Sequence, residues 1–189
     1  MTGPTVSRGV RRPRPLLCLL GFLALGLGAC DQGPATNTRF MHPSGARDFL
    51  VAATRNQGPL HLEARGAAFP GVATAELPLV PVIEKAVQSR ILRLTQAAAT
   101  AEDPRFRLLL LFNAPSLTEV LALCRGAPDG GPARSDGRVE LLAAFCNGEQ
   151  LVSAVHGWVE EAESPQGKRF EQLIRQTARD LFRDRRRDE

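Results

Sequence analysis

Few side chains in this sequence stand where they could do chemistry together. A nucleophile needs a base beside it, and a catalytic or structural metal needs imidazoles, thiolates or carboxylates at fixed offsets. The three histidines, His42, His61 and His156, are far apart, and none adjoins a nucleophile or a second ligand in the sequence. Ser153 precedes His156 by three positions, a spacing that puts the two on opposite faces of a strand. Glu160, Glu161 and Glu163 follow Trp158 and are the nearest thing to a carboxylate pair, but so polar a stretch reads as a solvated turn. Arg175, Arg179 and Arg183 recur every four residues and would line one helix face, opposite lipid headgroups or an acidic polymer. Interleaved with Glu171, Asp180 and Asp184, they read instead as a solvated face. Trp158 reads as packed. The sequence holds no Gly-x-Ser-x-Gly, no phosphate-binding glycine loop before a lysine, no Gly-x-Gly-x-x-Gly and no His-Glu-x-x-His. No catalytic residue, metal ligand or cofactor is assigned on these grounds.

The cysteines carry a stronger signal. Arg8, Arg11, Arg12 and Arg14 make the first segment basic, no acidic residue precedes Asp31, and the chain is apolar or glycine from Leu16 to Ala29. That run is shorter than the roughly 20 residues a helix needs to span a bilayer. Gly21, Gly26 and Gly28 weaken it as a packed core helix. A basic region, a short apolar region and small residues before a break are the parts of a secretory signal. The ending Leu27-Gly28-Ala29-Cys30 resembles the lipobox of bacterial lipoproteins. The resemblance covers residues 1–30 and implies cleavage between Ala29 and Cys30. It also implies a diacylglyceryl thioether on Cys30 and usually a third acyl chain on the new amino group. One acyl chain binds a membrane marginally, whereas two or more anchor stably. The expected location is therefore the bacterial cell envelope, lipid-anchored and facing the periplasm. Asp31 resembles an inner-membrane retention signal and tilts the expectation towards that membrane. Arg11-Arg12 would suit twin-arginine export, but Pro13 and Pro15 depart from that pattern.

Cleavage changes what the composition means. The precursor has 24 basic and 20 acidic side chains, a formal charge of +4. Residues 1–29 hold four arginines and no acid, so the mature chain is balanced, and the case for a nucleic-acid partner disappears. Cys18 leaves with the signal and Cys30 is acylated, which leaves Cys124 and Cys146. In an oxidising compartment these two are expected to form a disulfide worth roughly 3 kcal/mol in the chain-entropy model. Neither has a second ligand at zinc-finger spacing, so no metal site is expected there.

Three segments are expected: a signal peptide over 1–29, a lipidated terminus with a flexible tether over 30–46, and one folded domain over 47–189. The stretch DQGPATNTRFMHPSGA is rich in turn formers and would, fully extended, lift the domain about 50 Å from the bilayer. Within the domain, Phe49, Ala52 and Ala53 suggest a short amphipathic helix, stopped by Asn56-Gln57-Gly58-Pro59. Leu60, Leu62 and Ala64 alternate with His61, Glu63 and Arg65, a strand with one wet face. A helix is expected from about Val82, with Ile83, Val87, Ile91 and Leu94 at helical spacing. Phe106 to Phe112 is continuously apolar and suits a central strand covered on both faces. Ser116 to Cys124 suggests a short helix, and Arg125 to Gly137 a flexible loop.

Asn147-Gly148 between two apolar runs predicts a two-residue hairpin. That register sets Cys146 opposite Glu149 and Val139 opposite His156. Phe145, Ala143, Leu141 and Val152 would then share one face, and Ala144, Leu142, Leu151 and Val155 the other. Ser164-Pro165 predicts the start of a last helix whose buried stripe is Phe170, Leu173, Ile174, Leu181 and Phe182. The element order predicts an α/β (α+β) fold: about four strands in a mixed sheet, with an antiparallel hairpin and packed helices.

That outline looks like the small α/β domains of some envelope-assembly lipoproteins. The stretches GPLHLEARGAAFPG, RFRLLLLFNAP and AAFCNGE resemble uncharacterised proteobacterial lipoproteins, which carry no catalytic assignment. The expectation is a non-catalytic binding or assembly module, held to the membrane through acylated Cys30 and meeting another envelope protein or a wall component. The alternative is a small envelope enzyme whose site is assembled from residues far apart in sequence.

Overall fold

The computed structural model describes Gly3 and residues 33–183, apart from Gln57, 88–91, Leu117 and Ala127. Contacts divide the chain into residues 1–31 and 32–189, and the second unit is the one described below. It is a mixed sheet of six strands, in the order β1-β6-β5-β4-β2-β3, with three helices on one face among the described residues. The strands are β1 (Ala35–Met41), β2 (Leu60–Arg65), β3 (Leu94–Thr95), β4 (Phe106–Phe112), β5 (Val139–Asn147) and β6 (Gln150–Val159). The helices are α1 (Ala46–Ala53), α2 (Leu79–Ala86) and α3 (Lys168–Leu181). β2 runs parallel to β3 and β4, while β4, β5, β6 and β1 are antiparallel neighbours. The sheet has two more strands than the element order suggests, β1 and β3.

β4 sits centrally and its side chains are buried on both faces, as a continuous apolar run requires. Phe106, Leu108, Leu110 and Phe112 meet the helices, while Leu109 and Leu111 meet the opposite face. The helix side is a dense aromatic core. Phe170 stands edge-on to Phe69 at 5.0 Å and near Phe112 at 6.1 Å, and Phe145 contacts Phe106 and Phe182. α3 buries Phe170, Leu173, Ile174 and Leu181, and full burial of one such side chain is worth roughly 1.5–3 kcal/mol. Gly157 lets it come close: a Cβ there would lie 2.5 Å from Thr177 Oγ1 and 3.0 Å from Leu173 Cδ1.

Several elements depart from the expected pattern. β1 lies inside the stretch read as a tether, because Thr36, Thr38 and Phe40 supply β-branched and aromatic side chains that an edge strand can use. It is fastened to α3 by the Thr36 hydroxyl, which donates to buried Asp180 Oδ2 at 2.5 Å. In α1 the buried stripe is Ala46, Leu50 and Ala53, and Ala52 is exposed. α2 starts at Leu79 and ends at Ala86, earlier than the spacing suggests. Pro81 falls in its first turn, where a missing N–H costs nothing. Leu94 belongs to β3, whose first N–H bonds Glu84 Oε1 at 2.7 Å. Among the described residues between Ser116 and Cys124, only a 3₁₀ turn forms, Val120–Ala122. α3 begins at Lys168, after a turn in which Gly167 N–H donates to Ser164 O at 3.0 Å.

The hairpin register also shifts. Asn147 pairs with Gln150, so the turn is Gly148-Glu149, and Val139 faces Val159 instead of His156. Gly148 takes the left-handed φ of +59° and Glu149 does not, the pattern of a turn with glycine first. A bulge then intervenes: Cys146 faces Leu151 and Phe145 faces Ser153. The extra residue is Val152, and it moves Val155 onto the helix side.

Candidate functional site

The face of the sheet away from the helices is finished by a loop. The chain leaves β4 at Asn113, in left-handed conformation (φ 49°), which a short polar side chain tolerates. Its backbone N–H donates to Glu140 O at 2.9 Å and its Oδ1 accepts from Glu140 N at 3.0 Å. Its Nδ2 reaches Ala67 O at 2.8 Å and Pro132 O at 3.2 Å. The second half of the loop is held between the ends of β2 and β4: Gly131 N–H donates to Phe112 O, and Ala67 N–H to Gly131 O, both at 2.9 Å. The approach needs glycine, since a Cβ on Gly130 would lie 2.6 Å from Gly66 Cα. Residues 128–138 therefore contain a pinned strap, where composition suggests a flexible excursion.

The first half of the loop crosses the back of the sheet. Cys124 and Cys146 are joined by a disulfide, and the Arg107 guanidinium donates to the Cys124 carbonyl. Leu123 and Cys124 pack on Leu109, Leu111, Leu142, Ala144 and Leu151, with Val120, Ala114 and Phe40 around them. This cover stops short of the β1 side. Between its edge and β1 lies an open cleft of about 260 Å³, floored by Leu142 and walled by Pro115 and Val120. Its polar lining is Arg39, Ser116, Thr118, Glu140 and His156.

The strand period positions these groups. His156 pairs with Leu142 on β5 and Asn37 on β1, and Trp158 pairs with Glu140 and Ala35. His156 Nε2 lies 3.4 Å from Glu140 Oε2, and the two rings of His156 and Trp158 are 5.4 Å apart. The Arg138 guanidinium sits over the Trp158 ring at 5.9 Å. Glu140 is surrounded by cations, with Arg138 Nε at 2.8 Å and Arg134 Nη1 at 4.0 Å. Arg138 also bonds Glu160 at 2.8 Å. Beside them Arg134 and the Arg138 N–H both donate to Asp136 and hold its carboxyl at about 2, below its ordinary 3.8.

Chemically this arrangement orients polar groups. The Glu140 carboxylate is committed to Arg138, and the Thr118 hydroxyl donates to Pro115 O at 2.7 Å. Among the described residues no hydroxyl bonds His156, and no group of three or more His, Cys, Asp or Glu is arranged to hold a metal. Ser153 faces the helices, where its hydroxyl donates to Leu181 O at 2.8 Å, away from His156. His42 contacts Phe49, and His61 lies on β2 beside Arg107 of β4.

Glu160 and Glu161 are bonded by Arg138 and Arg169 respectively, as the sides of a turn. On α3, Arg175 pairs with Glu171 and Arg179 is exposed, and just past its end Arg183 pairs with Asp180. Ala29 and Cys30 lie outside the described residues. Two members of the cleft escape sequence reasoning. Arg39 falls in the stretch read as a tether, and the Glu140–His156 contact depends on a register that the bulge at Val152 alters. No protein-family model matches this chain, and neither the curated proteins nor the solved structures give a significant match.

Proposed function

We propose that this chain is a lipid-anchored binding module of the bacterial cell envelope, facing the periplasm, with the back-face cleft as its recognition surface. The anchor is supported by the pattern Leu27-Gly28-Ala29-Cys30 after a short apolar run. The binding role is supported by one observation: the disulfide-pinned cover leaves a polar cleft open beside β1, while the other face is sealed by helices. The cleft's carboxylate is already neutralised by arginines, which favours an oriented recognition surface over the alternative of a small enzyme. The partner is another envelope protein or a wall component. β1 takes up Ala35–Met41, so part of the stretch expected as a tether belongs to the sheet.

Two measurements test this reading. Cys30→Ser should abolish acyl labelling and membrane retention, and unchanged labelling would refute the anchor. A photo-crosslinking side chain at Ser116 should give a reproducible adduct in intact membranes, and the same group at Arg179 should not. Identical adducts at both positions, or none at Ser116, would refute the cleft as the recognition surface.

A further inference from the structure

We propose that the cleft takes a carboxylate from an extended peptide of a partner protein, which adds to the free edge of β1 and places that carboxylate against Arg39. This rests on the reading of the cleft as a recognition surface and names its ligand. Three observations carry it.

The first is charge. Arg39 is exposed, lines the cleft, and has no carboxylate partner among the described residues. Its neighbours are matched: Arg138 by Glu140 and Glu160, Arg134 by Asp136. An unmatched guanidinium in a cleft presents the fork geometry that carboxylates fit. Glu140 also faces the cleft, but its charge is offset by Arg138 and Arg134.

The second is the edge. β1 ends the sheet, with β6 on one side and, among the described residues, no strand on the other. In such a strand every second residue turns its N–H and C=O outwards, a template for an added strand. Asn37 and Thr38 are exposed and uncharged, so the short stretch before Arg39 lacks the charges that usually blunt an edge. The register shifts between Thr38 and Phe40, and Arg39 is the extra residue. The β1–β6 ladder is interrupted at Arg39 and resumes at Phe40, so the guanidinium stands at a bulge in the edge strand, where it can anchor one end of an added strand.

The third observation separates a peptide from a saccharide. Stacking of a sugar ring is disfavoured here, because the nearby aromatic ring, Trp158, carries Arg138 over it with His156 alongside.

The test uses the full chain in detergent and a short fluorescent peptide alternating valine and glutamate, with its valine–glutamine counterpart as control. The acidic peptide should bind at least tenfold more tightly, about 1.4 kcal/mol. Arg39→Ala should remove that preference and Arg179→Ala should leave it intact, with unchanged melting temperatures confirming both folds. Binding should also protect backbone amides within Ala35–Thr38 from hydrogen exchange. Equal affinity for the two peptides, equal behaviour of the two variants, or carboxylate-selective binding without protection of β1 would each overturn the proposal. If Ser116 still crosslinks to a partner in membranes while the peptide fails, the ligand class falls and the recognition surface stands. If both fail, the surface falls as well.

Discussion

On the helix side of the sheet, Phe112, Phe145, Phe170 and Leu173 are at most 1% exposed and interlock with residues from all three helices. On the back, a smaller cluster around Leu109 and Leu111 is covered by a loop that a disulfide and two close glycine contacts hold down. The difference is one of means. The helix side is sealed chiefly by apolar area, which stabilises in proportion to the surface removed from water. The back face has too little cover to do this and relies on covalent and backbone restraints. Where those restraints end, polar groups remain at the surface. A sealed face leaves no room for a ligand, so in so small a domain a ligand can be met only where the cover is incomplete.

Breaking the helix side should cost most. Phe145→Ala removes a side chain packed between Phe106 and Phe182, and should destabilise by about 3–5 kcal/mol in chemical denaturation. Removing the disulfide strikes the back face instead. With a sequence separation of 22, Cys124→Ala with Cys146→Ala should cost roughly 3 kcal/mol, and reduction of the native chain should have a similar effect. Below its lowered melting temperature the reduced protein should keep its helical circular dichroism while residues 114–126 exchange faster. Equal loosening of both faces would show that they are not independent.

The smallest effect concerns the rim. The carboxyl of Asp136 is held at about 2 by Arg134 and by the Arg138 N–H, below its ordinary 3.8. A depressed value in the folded state means that this contact contributes above the ordinary value and is lost as pH falls through about 2. Asp136→Asn should therefore flatten the acid end of the stability profile slightly, and a carboxyl titration by NMR should find the native midpoint near 2. A native midpoint near 3.8 would remove the contact from the account.

The helix-side architecture is largely legible in the sequence, because it is written in periodicity. Leu60 to Arg65 alternates, Phe106 to Phe112 is continuously apolar, and the stripe of Phe170, Leu173, Ile174 and Leu181 repeats at helical spacing. The back face is less legible. Asn147-Gly148 marks the hairpin, but Gly148-Glu149 forms the turn, and one extra residue at Val152 then reassigns Val155 and alters the partner of His156. No local pattern announces a bulge, since it is selected by packing on both sides of the strand. β1 escapes for a related reason. A polar edge strand has half of its backbone groups and one side free, so its sequence resembles a tether until Thr36 is seen bonded to Asp180. In the sequence, pairing of Cys124 with Cys146 is expected only through the proposal that Cys18 and Cys30 belong to a signal, and not from any spacing.

The proposed recognition surface is the back-face cleft, which should therefore be the surface covered in membranes. Amide hydrogen exchange on the full chain, compared between native membranes and detergent solution, tests this directly. Slower exchange in membranes confined to 35–39 and 114–120, with the exposed face of α3 around Arg179 unchanged, is the predicted result. Protection spread evenly over the domain, or protection of α3 with the cleft unchanged, would contradict it.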